Sequence, residues 1–250
     1  DINIYEGWSS RGIAGSAIFG SQFNSGADRN ILIGATLATS TTKNVFRNSE
    51  NGIYIKGDAT LKVFNNLFGD DDVDFRIRGL GINAIENRSK QIYITRSNVF
   101  DNYNVGARVF DIGAEVICHI GENVFNNAAL INTTSFEGTA IHVSNPLAWR
   151  IPAQETFLNI NPRVRIFNNI IGSNSQVEQA RIGIFSSLIW KPAIEENEIN
   201  FHRDNQTVFP NGIGIWMQGC ALATIRSNSI QQVGTQHPLM DNLIGILSDN

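Results

Sequence analysis

RVRIFNNIIGSN, residues 163–174, has a near double in LKVFNNLFGDDD at residues 61–72. In each, an alternating run, Val164-Arg165-Ile166-Phe167 or Leu61-Lys62-Val63-Phe64, leads into two asparagines and two apolar residues. The asparagine phrase recurs as Asn44-Val45-Phe46, Asn66-Leu67-Phe68, Asn98-Val99-Phe100, Asn123-Val124-Phe125, Asn169-Ile170-Ile171, Asn197-Glu198-Ile199 and Asn228-Ser229-Ile230. Successive asparagines are 22, 32, 25, 46, 28 and 31 residues apart. Repeats of roughly 20 to 50 residues mark a solenoid. A fixed period would point to a helical or leucine-rich repeat. Constant phrases at variable spacing point instead to constant strands joined by loops of free length.

Counted back from the asparagine, positions −3 and −5 are apolar in four copies: Val63/Leu61, Ile120/Cys118, Ile166/Val164 and Ile225/Ala223. Period-two alternation places these on one face and Lys62, His119, Arg165 and Thr224 on the other. The inward set is expected to be intolerant of charge, and Arg165→Ala to be nearly silent. Ile92 and Ile94 stand one place further from Asn98, which implies an extra residue in that turn. A second phrase alternates with the first: Gly52-Ile53-Tyr54-Ile55, Gly81-Ile82, Gly138-Thr139-Ala140-Ile141-His142-Val143, Gly183-Ile184-Phe185, Gly212-Ile213-Gly214-Ile215-Trp216 and Gly245-Ile246-Leu247. Each coil is therefore expected to carry an Asn corner and a Gly corner, because both residues tolerate the left-handed backbone of a sharp turn. Stacked asparagines would also bond coil to coil through their amides; Asn makes up about 12% of the chain.

Composition narrows the function classes. Nineteen basic and 23 acidic residues leave a net charge of −4, without the basic footprint that nucleic acid requires. Thus no nucleic-acid partner is expected. The longest apolar run, ILIGATLA at 31–38, is too short and Gly-broken for a membrane span. The chain opens at Asp1 and closes in LIGILSDN, another strand-like run, so residues 1–250 are expected to be a single β-helix domain cut from a longer chain, its ends covered by remaining chain or neighbouring subunits.

Two alternating phrases over residues 44–247 resemble the right-handed parallel β-helix of the pectate-lyase-like superfamily. The resemblance implies an all-β, single-stranded parallel solenoid of about seven or more coils, right-handed like other parallel crossovers. A β-sandwich is the rival fold, but it would need hairpin turns at short regular intervals. Relatives of this kind cleave pectin or alginate, hydrolyse glycans, bind as tailspikes, adhere or form filaments, so the fold leaves function open.

The family's catalytic patterns are incomplete here. Its hydrolases use spaced Asp residues, a Gly-His-Gly and an Arg-Ile-Lys, since two carboxylates must flank the bond. This chain has Asp70-Asp71-Asp72 close to Arg76-Ile77-Arg78 and no Gly-His-Gly. Calcium-dependent lyases resemble R-x-P-x-x-R; Arg150-Ile151-Pro152 supplies the first half and Glu155 stands in place of the second Arg. GDDDVDFRIRG, residues 69–79, offers Asp70, Asp71, Asp72 and Asp74 as hard oxygen ligands for calcium, or else as a solvated corner offset by Arg76 and Arg78.

Other candidates are single residues. His119 and His142 read as sugar contacts, acid/base groups or plain surface side chains. Tyr54, Trp190 and Trp216 read as packing residues. The inserted loop at 144–162 carries Trp149, Arg150 and Glu155 away from any strand pattern, suited to stacking on a sugar ring while holding an acidic group. Cys118 and Cys220 fall on coils too far apart for a disulfide, and Asn87, Asn132 and Asn205 begin glycosylation sequons. The expectation is a non-catalytic extracellular or cell-surface module, structural or adhesin-like, with polysaccharide as its ligand. The alternative is a polysaccharide lyase or glycoside hydrolase whose catalytic residues are disguised or lie outside this segment.

Overall fold

A computed structural model describes residues 4–6, 15–23, 30–35, 43–69, 77–87, 90–113, 116–126, 128, 138–145, 163–172, 181–202, 212–233 and 243–249. The described elements are all strands, in three sheets. Sheet A stacks β1 (Ile4–Glu6), β4 (Asn44–Arg47), β7 (Asn66–Phe68), β10 (Val99–Phe100), β13 (Val124–Phe125), β16 (Ile170–Ile171), β19 (Glu198–His202) and β22 (Ser229–Val233). Sheet B stacks β2 (Ser16–Phe23), β5 (Ser49–Gly57), β8 (Ile77–Ile85), β11 (Tyr103–Phe110), β14 (Thr139–Ser144), β17 (Ile182–Ser187), β20 (Gly212–Gln218) and β23 (Leu243–Asp249). Sheet C stacks β3 (Asn30–Gly34), β6 (Thr60–Phe64), β9 (Ile92–Thr95), β12 (Cys118–Gly121), β15 (Val164–Phe167), β18 (Ala193–Glu195) and β21 (Thr224–Arg226). The chain visits A, B and C in turn, and neighbouring strands are parallel throughout. This is a parallel β-helix, and the consecutive hairpins of a sandwich are not its plan.

Register follows the alternation. Val63, Ile94, Ile120, Ile166 and Ile194 form one inward column of sheet C, each fully buried. Ile225 continues it but is only partly buried, and no described strand of sheet C lies beyond it. The extra residue before Asn98 is real: Arg96 and Ser97 both have positive φ, 62° and 63°, where the other copies use one such residue.

The asparagines form a ladder. Each side-chain Nδ2 donates to the next coil's Oδ1: Asn44 to Asn66 at 2.9 Å, Asn66 to Asn98 at 3.0 Å, Asn98 to Asn123 at 2.9 Å, Asn123 to Asn169 at 3.1 Å, Asn169 to Asn197 at 2.9 Å and Asn197 to Asn228 at 2.8 Å. The same Nδ2 atoms also bond inward carbonyls, as Asn123 does to Ile94 at 2.8 Å.

The division of labour at the corners differs from the expected one. The left-handed residue is the one before the ladder asparagine: Asn65, Ser97, Glu122, Asn168, Glu196 and Ser227, with φ between 50° and 63°. It bends the chain from sheet C into sheet A, and the ladder asparagine that follows hydrogen-bonds an inward carbonyl with its amide. Of the glycines that open the second phrase, only Gly138 has a positive φ, 72°; the left-handed glycines are others, such as Gly57, Gly69 and Gly172. Gly52, Gly81, Gly106, Gly183 and Gly214 lie within strands of sheet B. A Cβ on Gly81 would sit 2.6 Å from the Gly106 carbonyl oxygen and 2.8 Å from the Phe100 ring. The reason is the interior stack Phe46, Phe68, Phe100 and Phe125, whose ring centroids are 4.8, 4.7 and 4.5 Å apart. Glycine lets the strand pass against those rings at Gly52, Gly81 and Gly106, and against Ile199 and Ile230 at Gly183 and Gly214.

Arg165 also departs from expectation. It faces outward, yet its Nη2 lies 3.0 Å from Glu195, its guanidinium covers the Phe167 ring at 4.6 Å, and Arg226 binds the other Glu195 oxygen at 2.7 Å. Glu195 is buried. Burial pushes its carboxyl up, but hydrogen bonds from Arg226 and Arg165 outweigh that and hold it below the usual range. Removing Arg165 therefore uncovers half of a buried ion cluster.

Candidate functional site

Register stacks one outward residue per coil of sheet B into a column, Phe19, Tyr54, Asn83, Arg108, His142, Phe185, Trp216 and Leu247, six of which stand two places after a glycine and two, Phe19 and His142, two places after an alanine. A second outward column two places on runs Lys56, Ile85, Phe110, Ser144, Ser187, Gln218 and Asp249. A groove of about 370 Å³ takes in part of both columns and crosses the coils from Glu50 at one end to Gln218 at the other. Its middle is built by Arg108, Phe110, His142, Ser144, Phe185 and Ser187.

The polar groups in the groove are held firmly. The Ser144 and Ser187 hydroxyls share a hydrogen bond of 2.6 Å. His142 packs against Phe185 at 4.9 Å and edge-on to Phe110 at 6.5 Å. Burial, and then the neighbouring Arg108 charge, push its pKa down to about 4, so it is neutral at pH 7. The Arg108 guanidinium covers the Phe110 ring at 4.5 Å and has no carboxylate partner among the described residues. Trp216, on the same strand as Gln218, donates Nε1–H to Asp249 on the next coil at 2.9 Å. Phe19 and Tyr54 stack at 5.2 Å at the opposite end, with Phe19 66% exposed.

These groups can bind a ligand by aromatic contact, hydroxyl and amide hydrogen bonds, and one cation. Glu50 is the one carboxylate among the described lining residues, so these residues lack the facing pair of a glycoside hydrolase. Nor do three His, Cys, Asp or Glu side chains among the described residues converge as a metal site.

Asp70, Asp71, Asp72, Asp74, Trp149, Arg150 and Glu155 lie outside the described residues, as does the inserted loop after Asn145. Ser144, the first residue of the 144–162 stretch, ends strand β14. His119 is not in the groove; it sits on the outer face of sheet C, edge-on to Tyr93 at 5.4 Å, its pKa lowered by burial and then by Arg165. Trp216 and Tyr54, read as packing residues, belong to the outward column. Asn87 is buried, with its amide bonded to the Ala59 carbonyl at 2.7 Å, so that sequon is closed to modification; Asn132 and Asn205 lie outside the described residues. Both cysteines are free; Cys118 is buried, and burial raises its thiol to about 12.

Arg108, Ser144 and Ser187 were not singled out by the sequence, although a signal for the column exists. In Gly52-Ile-Tyr54, Gly81-Ile-Asn83, Gly106-Ala-Arg108, Gly183-Ile-Phe185 and Gly214-Ile-Trp216, the third residue of the phrase is the outward one. Among the described residues, no helix is long and apolar enough to cross a membrane. No family model, no curated protein and no solved structure matches the chain.

Proposed function

We propose that this chain is a non-catalytic, extracellular or cell-surface module of the pectate-lyase-like superfamily, a rigid β-helical rod whose sheet-B groove holds a glycan chain along the axis. The observation that carries this reading is the groove itself, where aromatic rings, paired hydroxyls and one guanidinium follow one another across successive coils. Coils repeat at about 4.8 Å, close to the length of one sugar in an extended glycan, so neighbouring sugars would meet neighbouring coils. The rod's ends would be covered by remaining chain or by neighbouring subunits. In support, Ile246 is 51% exposed although Ile215, its partner on the preceding coil, is fully buried.

The test is affinity electrophoresis through gels containing soluble polysaccharides, with reducing-end and unsaturated-uronate assays run on the same samples. Retardation of the wild type, reduced in Trp216→Ala, with no new ends released, is the expected result. Release of reducing ends or unsaturated products would put the lyase or hydrolase alternative in its place. Free migration in every gel would reject glycan binding.

A further inference from the structure

The distribution of charge along the groove narrows the kind of glycan. Arg108 is the one cation among the described lining residues and Glu50 the one carboxylate. On the coils beside Arg108, the same outward column offers Asn83 on one side and His142, Phe185 and Trp216 on the other. None of these carries positive charge at neutral pH, since His142 titrates at about 4. Lys56, at the margin, is engaged by Glu86 at 2.9 Å.

A glycan with a carboxylate on every sugar would therefore set one anion on Arg108 and the next against neutral or aromatic surface. Anions desolvated without a partner are strongly disfavoured. Towards Glu50 the same chain would meet a like charge. A glycan with an isolated anion meets neither obstacle. Its acidic group can accept hydrogen bonds from the Arg108 guanidinium, whose other face is occupied by Phe110. Its neutral flanking sugars can meet Trp216 on one side and Tyr54 with Phe19 on the other, while their hydroxyls reach Ser144, Ser187 and Gln218.

We infer that the groove is specific for a sparsely charged heteroglycan, in which one anionic group seated on Arg108 is flanked by neutral sugars, and that it discriminates against polyuronates. This rests on the glycan reading above. The anion can be a uronic carboxylate or an acidic substituent on a neutral sugar, because the guanidinium recognises the charged oxygens common to both.

Isothermal titration against three defined probes tests it: oligosaccharides of gellan, whose repeat carries a single glucuronate among neutral sugars; the same oligosaccharides after carboxyl reduction; and alginate oligomers charged on every sugar. Gellan oligosaccharides should bind about tenfold or more tighter than either of the others, the size of one charge-assisted contact. Arg108→Gln should bind gellan and reduced gellan alike, and Arg108→Lys should recover part of the preference; thermal melts of both variants report whether the fold is kept. Equal binding of gellan and reduced gellan by the wild type would overturn the anion subsite and leave glycan binding standing. Alginate binding as tightly as gellan would overturn the discrimination. Binding of none of the three, with retardation in other gels, would overturn this inference alone; no retardation anywhere would overturn both.

Discussion

At the corner between sheets C and A one side chain recurs on coil after coil, Asn66, Asn98, Asn123, Asn169, Asn197 and Asn228, whereas the outward column of sheet B reads Tyr54, Asn83, Arg108, His142, Phe185 and Trp216. Both are columns in register on the same coils. The corner is uniform because each amide must satisfy its neighbour and a buried carbonyl at once, and no other side chain has an acceptor and two donors in that geometry. The sheet-B column is free to vary because its residues need only a wide strand beneath them. Uniform columns hold the rod together; the varied column is where recognition is placed.

The largest effect that separates the two should come from the interior under the ladder. Ile166 is fully buried, and Ile166→Asp would bury an unpaired carboxylate at a cost of several kcal/mol; loss of the β-sheet circular dichroism signal at 25 °C is the expected outcome. Next is the ladder itself. Asn123 exchanges bonds with Asn98 and Asn169 and binds the Ile94 carbonyl, all buried. Asn123→Ala should cost about 3 kcal/mol in urea unfolding. Asn228→Ala, at the more exposed last rung, should cost about 1 kcal/mol or less. Equal costs at the two positions would show that the ladder is not a chain of buried rungs.

A pH series sharpens the same contrast from the side of the groove. His142 has a folded pKa of about 4 against an ordinary 6.5, so the unfolded chain takes up its proton first as pH falls. Stability from this group is complete above about pH 6.5, declines between 6.5 and 4, and levels off below, a total of about 3 kcal/mol. Carboxylates also titrate at the lower end, so the measurement is the difference between wild type and His142→Asn, whose slope over this window should be shallower. The smallest effect is Arg165→Ala. With Arg226 still holding Glu195, it should lose about 1 kcal/mol, and the loss should shrink at acid pH. Glu195, whose folded pKa is depressed, contributes its stability above its unfolded pKa and loses it as pH falls through the folded one.

What the sequence made legible follows from the same contrast. The inward alternation of Val63, Ile120 and Ile166, the ladder asparagines and the extra residue before Asn98 are periodic, and periodicity survives loops of any length. The glycines were visible but misread: Gly81 is required by a ring 19 residues further along the chain, Phe100, a relation that exists only after the coils stack. Arg165 and Glu195, 30 residues apart, are hidden for the same reason. The groove was least legible, since Arg108, His142 and Phe185 share neither type nor spacing. Only the Gly-Ile-X phrase links most of that column's members, and its third position carries no repeated chemistry to draw the eye.

The most direct measurement of whether recognition belongs to the varied column is glycan-array binding by wild type, Trp216→Ala and Leu32→Ala, each checked for an unchanged fold. Leu32 is 52% exposed on the outer face of sheet C, away from the groove. Binding by wild type and Leu32→Ala with at least a fivefold loss in Trp216→Ala, the order expected for one stacked ring, is the predicted result. Full binding by Trp216→Ala, loss in Leu32→Ala, or no binding by the wild type would contradict it.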